Sequence, residues 1–365
     1  MAETSRSLSH AQLVWRHFTR HRLAMVGLVI LIIFYLVGAF CEFVAPLDPL
    51  HRFTNYIYTP PTPLRFVDSE GNFSLRPFVY GIKSELDMTT FRRIYVPDTS
   101  QKYYLRFLVR GHSYRLWGLF PTNLHLFGVD EGGHLFLLGT DDLGRDMLSR
   151  IIYGTRISLS IGLVGVAISL GIGLLVGGIS GLRGGSFDAI TQRIIEILRS
   201  IPQIPLWMGL SAALPPNWDP IKVYFGITII LSLLGWTHIA RVVRSRFLSL
   251  REEDFVLAAY AAGSSEMRIV FKHLIPSFIS YVIVSVTLSV PGMILGETAL
   301  SFLGIGLRPP VISWGVLLEQ AQNISAVNTY PWLLTPAIFV ILAVLAFNFV
   351  GDGLRDAADP YSKHI

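Results

Sequence analysis

The chain has 365 residues and a formal net charge of +5, with 52% hydrophobic and only 15% charged residues. A soluble domain carries roughly 25% charged residues, and a mean hydropathy of +0.51 marks more apolar surface than a water-soluble protein of this size hides. Disorder is excluded, because it needs few apolar and many charged residues; Cys41, the single cysteine, excludes a disulfide scaffold and a cysteine metal site. Basic residues flank apolar runs instead of clustering with aromatics on a polar segment, so the partner is a lipid bilayer and not nucleic acid.

Six stretches reach the roughly 20 mostly apolar residues that a spanning helix needs. The first covers 23–44 and follows Arg16, Arg20 and Arg22. It is longer than the h-region of a cleavable signal sequence, which predicts a retained helix. Residues 45–156 are polar, aromatic and broken by Gly, Asp and Pro. The runs FVYGIKSE, KYYLRFLVRG and HLFGVDEGGHLFLLGT predict a small, mainly β, water-exposed insert. The second span, 157–182, carries Gly173, Gly177 and Gly181 at GxxxG spacing, which predicts close helix packing within the subunit. A third span is predicted at 187–214 with Pro202 and Pro205, and a fourth at 223–240. The fifth covers 274–295 with Pro291, and the sixth 332–350 with Pro336.

Lys and Arg in short loops set orientation. Arg6, Arg16, Arg20, Arg22 and Arg183 lie on one side with the 241–273 loop, which holds Arg241, Arg244, Arg246, Arg251, Arg268 and Lys272. Lys222 and Arg308 alone mark the short loops of the other side. Both tails, 1–22 and 353–365, and the 241–273 loop are therefore expected in the cytoplasm, and the insert outside.

The sequence holds no P-loop, no HExxH and no GxSxG, and its GxG at Gly304–Gly306 has no third glycine. No catalytic residue, metal ligand or cofactor site is predicted, so nucleotide-driven work falls to a partner. Within 157–352, Arg193, Glu196 and Arg199 share one helix face; structural pairing, snorkelling and a place on a substrate path are all open readings. Glu297 is expected at the outer end of the fifth span, in a vestibule or in water.

Two polar segments remain. In the 241–273 loop, Ser249-Leu250-Arg251-Glu252 fits a capping box. A short helix then runs from Glu253 to Ala262, Gly263 ends it, and Ser264-Ser265-Glu266 starts another. The helix either lies on lipid or docks into a protein groove. Its alanines favour docking, since Ala adds little lipid affinity and permits close approach. In the second segment, Gly139 and Gly144 predict turns, and Asp141 or Asp142 caps a helix beginning near Leu143. Leu143, Met147 and Leu148 are expected on its apolar side, with Arg145, Asp146, Ser149 and Arg150 on a polar side at the outer membrane boundary. The segment then either anchors the insert or forms an external gate or binding-protein contact, with Asp142, Arg145 and Asp146 in exposed pairs.

Ala258-Ala259, Gly263 and Ile275-Pro276 together resemble the EAA loop of importer-type ABC permeases. The stretches 138–162, 297–310, 313–315 and 346–360 resemble the second-subunit, C-type form of the oligopeptide/dipeptide branch, and the first span does too. The insert is similar to that of the branch's variant with an extended external domain. The resemblance implies an all-α membrane protein, six transmembrane helices of the type I ABC importer permease fold, in the cytoplasmic membrane. It implies that Asp254, Phe255, Leu257, Ala258, Ala259, Gly263, Arg268 and Pro276 serve ATPase coupling. Leu257 departs from the pattern, standing where the family has an acidic residue, with Asp254 three positions earlier as a partial substitute. Implied partners are a second permease subunit, two ATPase subunits holding ATP and Mg, and an external solute-binding protein delivering oligopeptides. Two rival functions are an importer of another solute, such as a metal chelate, a peptide-like antibiotic or a glycoside, and an ion channel or ion-coupled transporter. Midspan regions nearly free of charge disfavour the latter.

Overall fold

The computed structural model describes residues 10–86, 88 and 93–358. Arg6, with the rest of 1–9, and residues 359–365, including the end of the 346–360 motif, lie outside the described residues. In chain order come α1 (His10–Phe18), α2 (Arg22–Ala39), α3 (Cys41–Val44) and strands β1 (Arg65–Val67), β2 (Phe73–Leu86), β3 (Arg93–Leu116) and β4 (Phe120–Val129). Helices α4 (Met147–Arg183), α5 (Gly185–Ser200), α6 (Gln203–Ala212), α7 (Pro220–Leu250), α8 (Asp254–Ala261) and α9 (Glu266–Ile269) follow. A π-turn (Val270–Leu274) and α10 (Ile275–Ser277) lead into α11 (Ile279–Phe302), and then come α12 (Trp314–Leu318), α13 (Ile324–Thr329) and α14 (Thr335–Ala358).

Among the described residues, five helical segments are long and apolar enough to cross a membrane: α2, α4, α7, α11 and Pro331–Ala358. The predicted third span, 187–214, is instead two helices. Pro202 lacks an N–H and pushes the preceding Ile201 into extended backbone (ψ 129°), so α5 stops at Ser200. Other predicted spans shift at their ends. Helix α4 begins at Met147 instead of 157. Helix α7 runs through Leu250, absorbing Arg241, Arg244 and Arg246 of the predicted loop, because no Gly or Pro interrupts it there. Its start is set by Asp219, whose carboxylate accepts the Ile221 and Lys222 amides at 3.0 Å ahead of Pro220. Helix α11 runs past 295, so Glu297 lies within it and is fully buried, not in water.

Contacts divide the chain into two compact units. One comprises residues 10–33, 160–300 and 340–358 of those described. In it the glycines of α4 meet α7 backbone to backbone. A Cβ at Gly177 would collide with the Ala240 carbonyl, and one at Gly181 would sit 2.8 Å from the Arg244 oxygen. The GxxxG spacing thus packs this subunit's own helices, as expected. At the same end, Asp188 of α5 accepts from the Arg244 guanidinium of α7 and from the Ser180 hydroxyl of α4.

The other unit comprises residues 34–159 and 301–339. Its four strands form an antiparallel meander, β1-β2-β3-β4, lying in sequence between α2 and α4. Strand β3 is long enough to pair twice: its Tyr104 stands opposite Phe78 of β2, and its Leu105 opposite Val129 of β4. Phe78, Val79, Leu135, Phe136, Met147, Ile151 and Trp314 are buried in this unit. Trp314 bonds Ile151 O through its indole N–H (3.2 Å), and its amide bonds the Ser158 hydroxyl (3.1 Å).

Candidate functional site

In the first unit the predicted docking segment is a helix, and its start differs from expectation. Ser249 is inside α7, so the capping box does not form; Glu253 holds the N-cap position of α8 with no side-chain bond. The end matches. Gly263 has φ +79°, its amide bonds Tyr260 O (2.9 Å), and the Ser264 amide bonds Ala259 O (3.0 Å), which is a Schellman closure. Ser265 then caps α9 by accepting the Arg268 amide. The π-turn precedes Pro276, whose absent N–H and ring bulk favour a widened turn; the Ile275 amide there bonds Val270 O, five residues back.

Burial sorts the predicted coupling residues. Val256 and Ala259 are buried with Phe247, Ile269, Val270 and Leu274, so Ala259 holds the helix down and is not offered to a partner. Asp254, Phe255, Leu257, Ala258, Gly263, Arg268 and Pro276 are exposed. Phe255, Leu257 and Tyr260 leave 42%, 52% and 42% of their surface open, which is an apolar face a soluble end of a protein does not leave uncovered. Arg183 at the end of α4 pairs with Glu266 of α9 at 2.9 Å. Arg193 pairs with Glu196 at 3.3 Å in the open. The Asp188–Arg244 pair, which reading the sequence missed, joins residues 56 apart; its only signal was charge beside apolar runs.

In the second unit the 139–150 segment departs from expectation more sharply. No helix starts near Leu143; α4 starts at Met147, capped by Asp146, whose Oδ2 accepts the Ser149 amide at 2.7 Å. Ahead of it is a tight loop closed by a Thr140–Asp146 bridge. Gly139 (φ +75°) and Gly144 (φ +72°) are required there, since a Cβ would strike the Thr59 and Phe53 carbonyls. Asp141 is the hub. Its Oδ1 accepts the Leu143 and Arg145 amides (2.9 Å each), and its Oδ2 accepts Arg145 Nε (2.7 Å) and the Arg150 guanidinium. Asp142 accepts from the Gln320 amide (2.6 Å), and Trp332 donates to Thr140 O (2.9 Å). Asp141 and Asp146 are fully buried, Arg150 is 3% and Arg145 8% exposed.

The predicted exposed polar side is therefore a buried ion network, with Asp142 alone partly open. The reason is that two loop amides and two guanidiniums together satisfy the Asp141 carboxylate that water would otherwise solvate. Burial pushes the Asp146 carboxyl up to about 6, against the cap bond that favours its charge. A second pair missed by reading the sequence lies at the end of α2. Arg156 binds Glu42 through both terminal nitrogens (2.7 and 2.6 Å) and donates to the Gly38 and Ala39 carbonyls (2.8 and 3.0 Å). Glu42, inside the predicted first span, sits in α3 beyond the end of the apolar helix. Among the described residues no cluster of His, Cys, Asp or Glu is arranged to hold a metal ion.

Residues 173–363 match the family described as the binding-protein-dependent transport system inner membrane component. Residues 9–61 match the N-terminal TM domain of oligopeptide transport permease C. The chain belongs to the binding-protein-dependent transport system inner membrane component family. Among curated relatives, the oligopeptide transport system permease protein OppC of Bacillus subtilis is 41% identical over 61% of this chain and 70% of its own length. OppC of Haemophilus influenzae is 43% identical over 64% and 72%. A putative peptide permease protein of Brucella suis is 37% identical over 69% and 82%. A solved inward-facing methionine ABC transporter covers 58% of this chain and 97% of its own at 21% identity and TM-score 0.46, too loose a likeness to argue from. The permease fold thus rests on the family match; both models leave 62–172 unmatched, the stretch that holds the sheet.

Proposed function

We propose that this permease subunit passes oligopeptides across the inner membrane in an ATP-driven importer. It works with a second permease, two ATPase subunits and an external solute-binding protein, and itself binds no nucleotide or cofactor and has no catalytic residue. The reading extends to the type I fold with six crossings, both termini and α8 cytoplasmic, and the sheet outside. Helices α5 and α6 together make the crossing that neither makes alone. The observation that carries the coupling role is the open apolar face of Phe255, Leu257, Ala258 and Tyr260 on a helix whose other side is pinned into the subunit core. ATPase closure pushes on that face. Val256 and Ala259 pass the push to α7 and α11 through the shared core, and the helices rock as rigid bodies. Oligopeptide as the solute is supported by the names of the OppC relatives.

The test is reconstitution of the permease with the ATPase and binding-protein subunits that co-purify with it. The expected result is ATP-dependent uptake of peptides with the binding protein present. Uptake of a chelate or glycoside instead, with no peptide retained by the binding protein, would replace the solute. Uptake driven by an ion gradient without ATPase subunits would sink the reading.

A further inference from the structure

The β3–β4 hairpin ends in an unusual way. Its turn residues Trp117 and Gly118 both have positive φ (53° and 75°), a geometry suited to Asn-Gly, yet the first is a tryptophan. The apex is apolar and open: Trp117 is 50%, Leu119 72% and Phe120 59% exposed. Water is a poor environment for three such side chains on adjoining positions.

Where the apex lies is set by a bond. The Trp117 indole N–H donates to the carbonyl of Ala39 at 2.7 Å, and its ring packs against Phe40 with centroids 5.4 Å apart. Ala39 is the last residue of α2, the apolar helix of mean hydropathy 2.4. Its carbonyl is one of the helix-end acceptors left without an intrahelical donor, and Trp117 serves it together with Arg156. The hairpin apex therefore stands level with the end of a spanning helix. One turn back, Leu36 is 54% exposed on the surface of this apolar helix. Apex and helix surface thus present apolar side chains side by side at the depth where a bilayer gives way to water. Tryptophan is enriched at that depth, where a flat apolar ring with one polar N–H suits the headgroup layer.

We propose that the β3–β4 hairpin apex is a membrane-interface anchor, with Trp117, Leu119 and Phe120 seated in the lipid headgroup region beside the end of α2. The sheet is then held to the bilayer at one corner as well as through the chain. This rests on the reading that α2 spans the membrane, and the test separates the two. Leu119→Cys, Phe120→Cys, Leu36→Cys and Leu75→Cys are made singly in a Cys41→Ala background and labelled with an environment-sensitive fluorophore. The assembled importer is reconstituted in phosphatidylethanolamine/phosphatidylglycerol vesicles carrying a lipid nitroxide near the top of the acyl chain. Leu75, 86% exposed on β2, is the aqueous control. Labels at 119 and 120 are expected to be quenched by the nitroxide at least twofold more than at 75, and shielded from aqueous iodide. Iodide quenching at 119 and 120 equal to that at 75 would overturn the anchor. So would labels shielded from both quenchers, which would place another subunit over the apex. Quenching by nitroxide at 36 but not at 119 or 120 leaves α2 a span and removes the anchor; quenching at none of them removes both.

Discussion

Arg145 makes a charged contact inside the protein, and that decides what its loss does. Its Nε bonds Asp141, a carboxylate with no exposed surface. Breaking a buried pair strands its partner, at about 3–5 kcal/mol; because Arg150 still serves Asp141, Arg145→Ala is expected to cost about 3 kcal/mol. The check is the thermal unfolding midpoint of the purified permease. It should fall far more than for Arg193→Ala, whose open pair with Glu196 is worth about 0–1 kcal/mol. Equal midpoints would show that the Asp141 hub does not bear on stability. Asp146 gives a pH signature. Its folded pKa of about 6 lies above the ordinary 3.8, so the protonated acid favours the folded state. That stabilisation is complete below about pH 4 and is lost as pH rises through 6, a swing of order 3 kcal/mol. Asn at 146 caps α4 without titrating. The midpoint of Asp146→Asn relative to wild type should therefore rise between pH 4 and 7; a constant difference would contradict the burial argument.

Helix α8 separates two roles that neighbouring residues share out. Ala258 is exposed and Val256 buried, two positions apart on one helix. Ala258→Arg should leave insertion and thermal midpoint unchanged, and yet abolish uptake and uncouple ATP hydrolysis from it in reconstituted complexes. Val256→Ala removes two buried methyls and should cost about 2 kcal/mol. Its midpoint should fall and its uptake fall in proportion. Full transport by Ala258→Arg would end the docking role. The ends of elements were readable where a single residue dictates them: Gly263 in the left-handed region, Ser265 on the Arg268 amide. They were misread where two local signals competed. Ser249 fits a capping box, but an unbroken run of helix formers carries α7 past it to Leu250, because continuing a helix is easier than nucleating one.

For the whole molecule the testable matter is which side of the membrane each part faces. Ser84 is exposed in β2, and the only native thiol, Cys41, is buried. In intact cells, Ser84→Cys should react with an impermeant thiol reagent added outside, while wild type stays unlabelled. Labelling only after the cytoplasmic side is opened would invert the orientation drawn from the Lys and Arg distribution.

Local chemistry alone was enough for five of the six apolar spans, the glycine seam, strands β2 to β4 and the family motifs, although 134–139 of the run HLFGVDEGGHLFLLGT forms no strand. Each depends on residues a few positions apart: a run of apolar side chains, small residues every four, alternation broken by turns. The break at Pro202 was also visible as a proline, though not that its two pieces are each too short or too charged to cross a membrane alone. Contacts between distant residues were not legible. Asp188 meets Arg244, Glu42 meets Arg156 and Trp117 reaches Ala39 only because the chain folds them together. The same holds for the 139–150 segment. Its amphipathic spacing is real, but burial inverts its meaning: neighbours from Phe53, Thr59, Gln320 and Trp332 close over the polar groups. Whether a charge faces water depends on what packs against it, and no local pattern contains that.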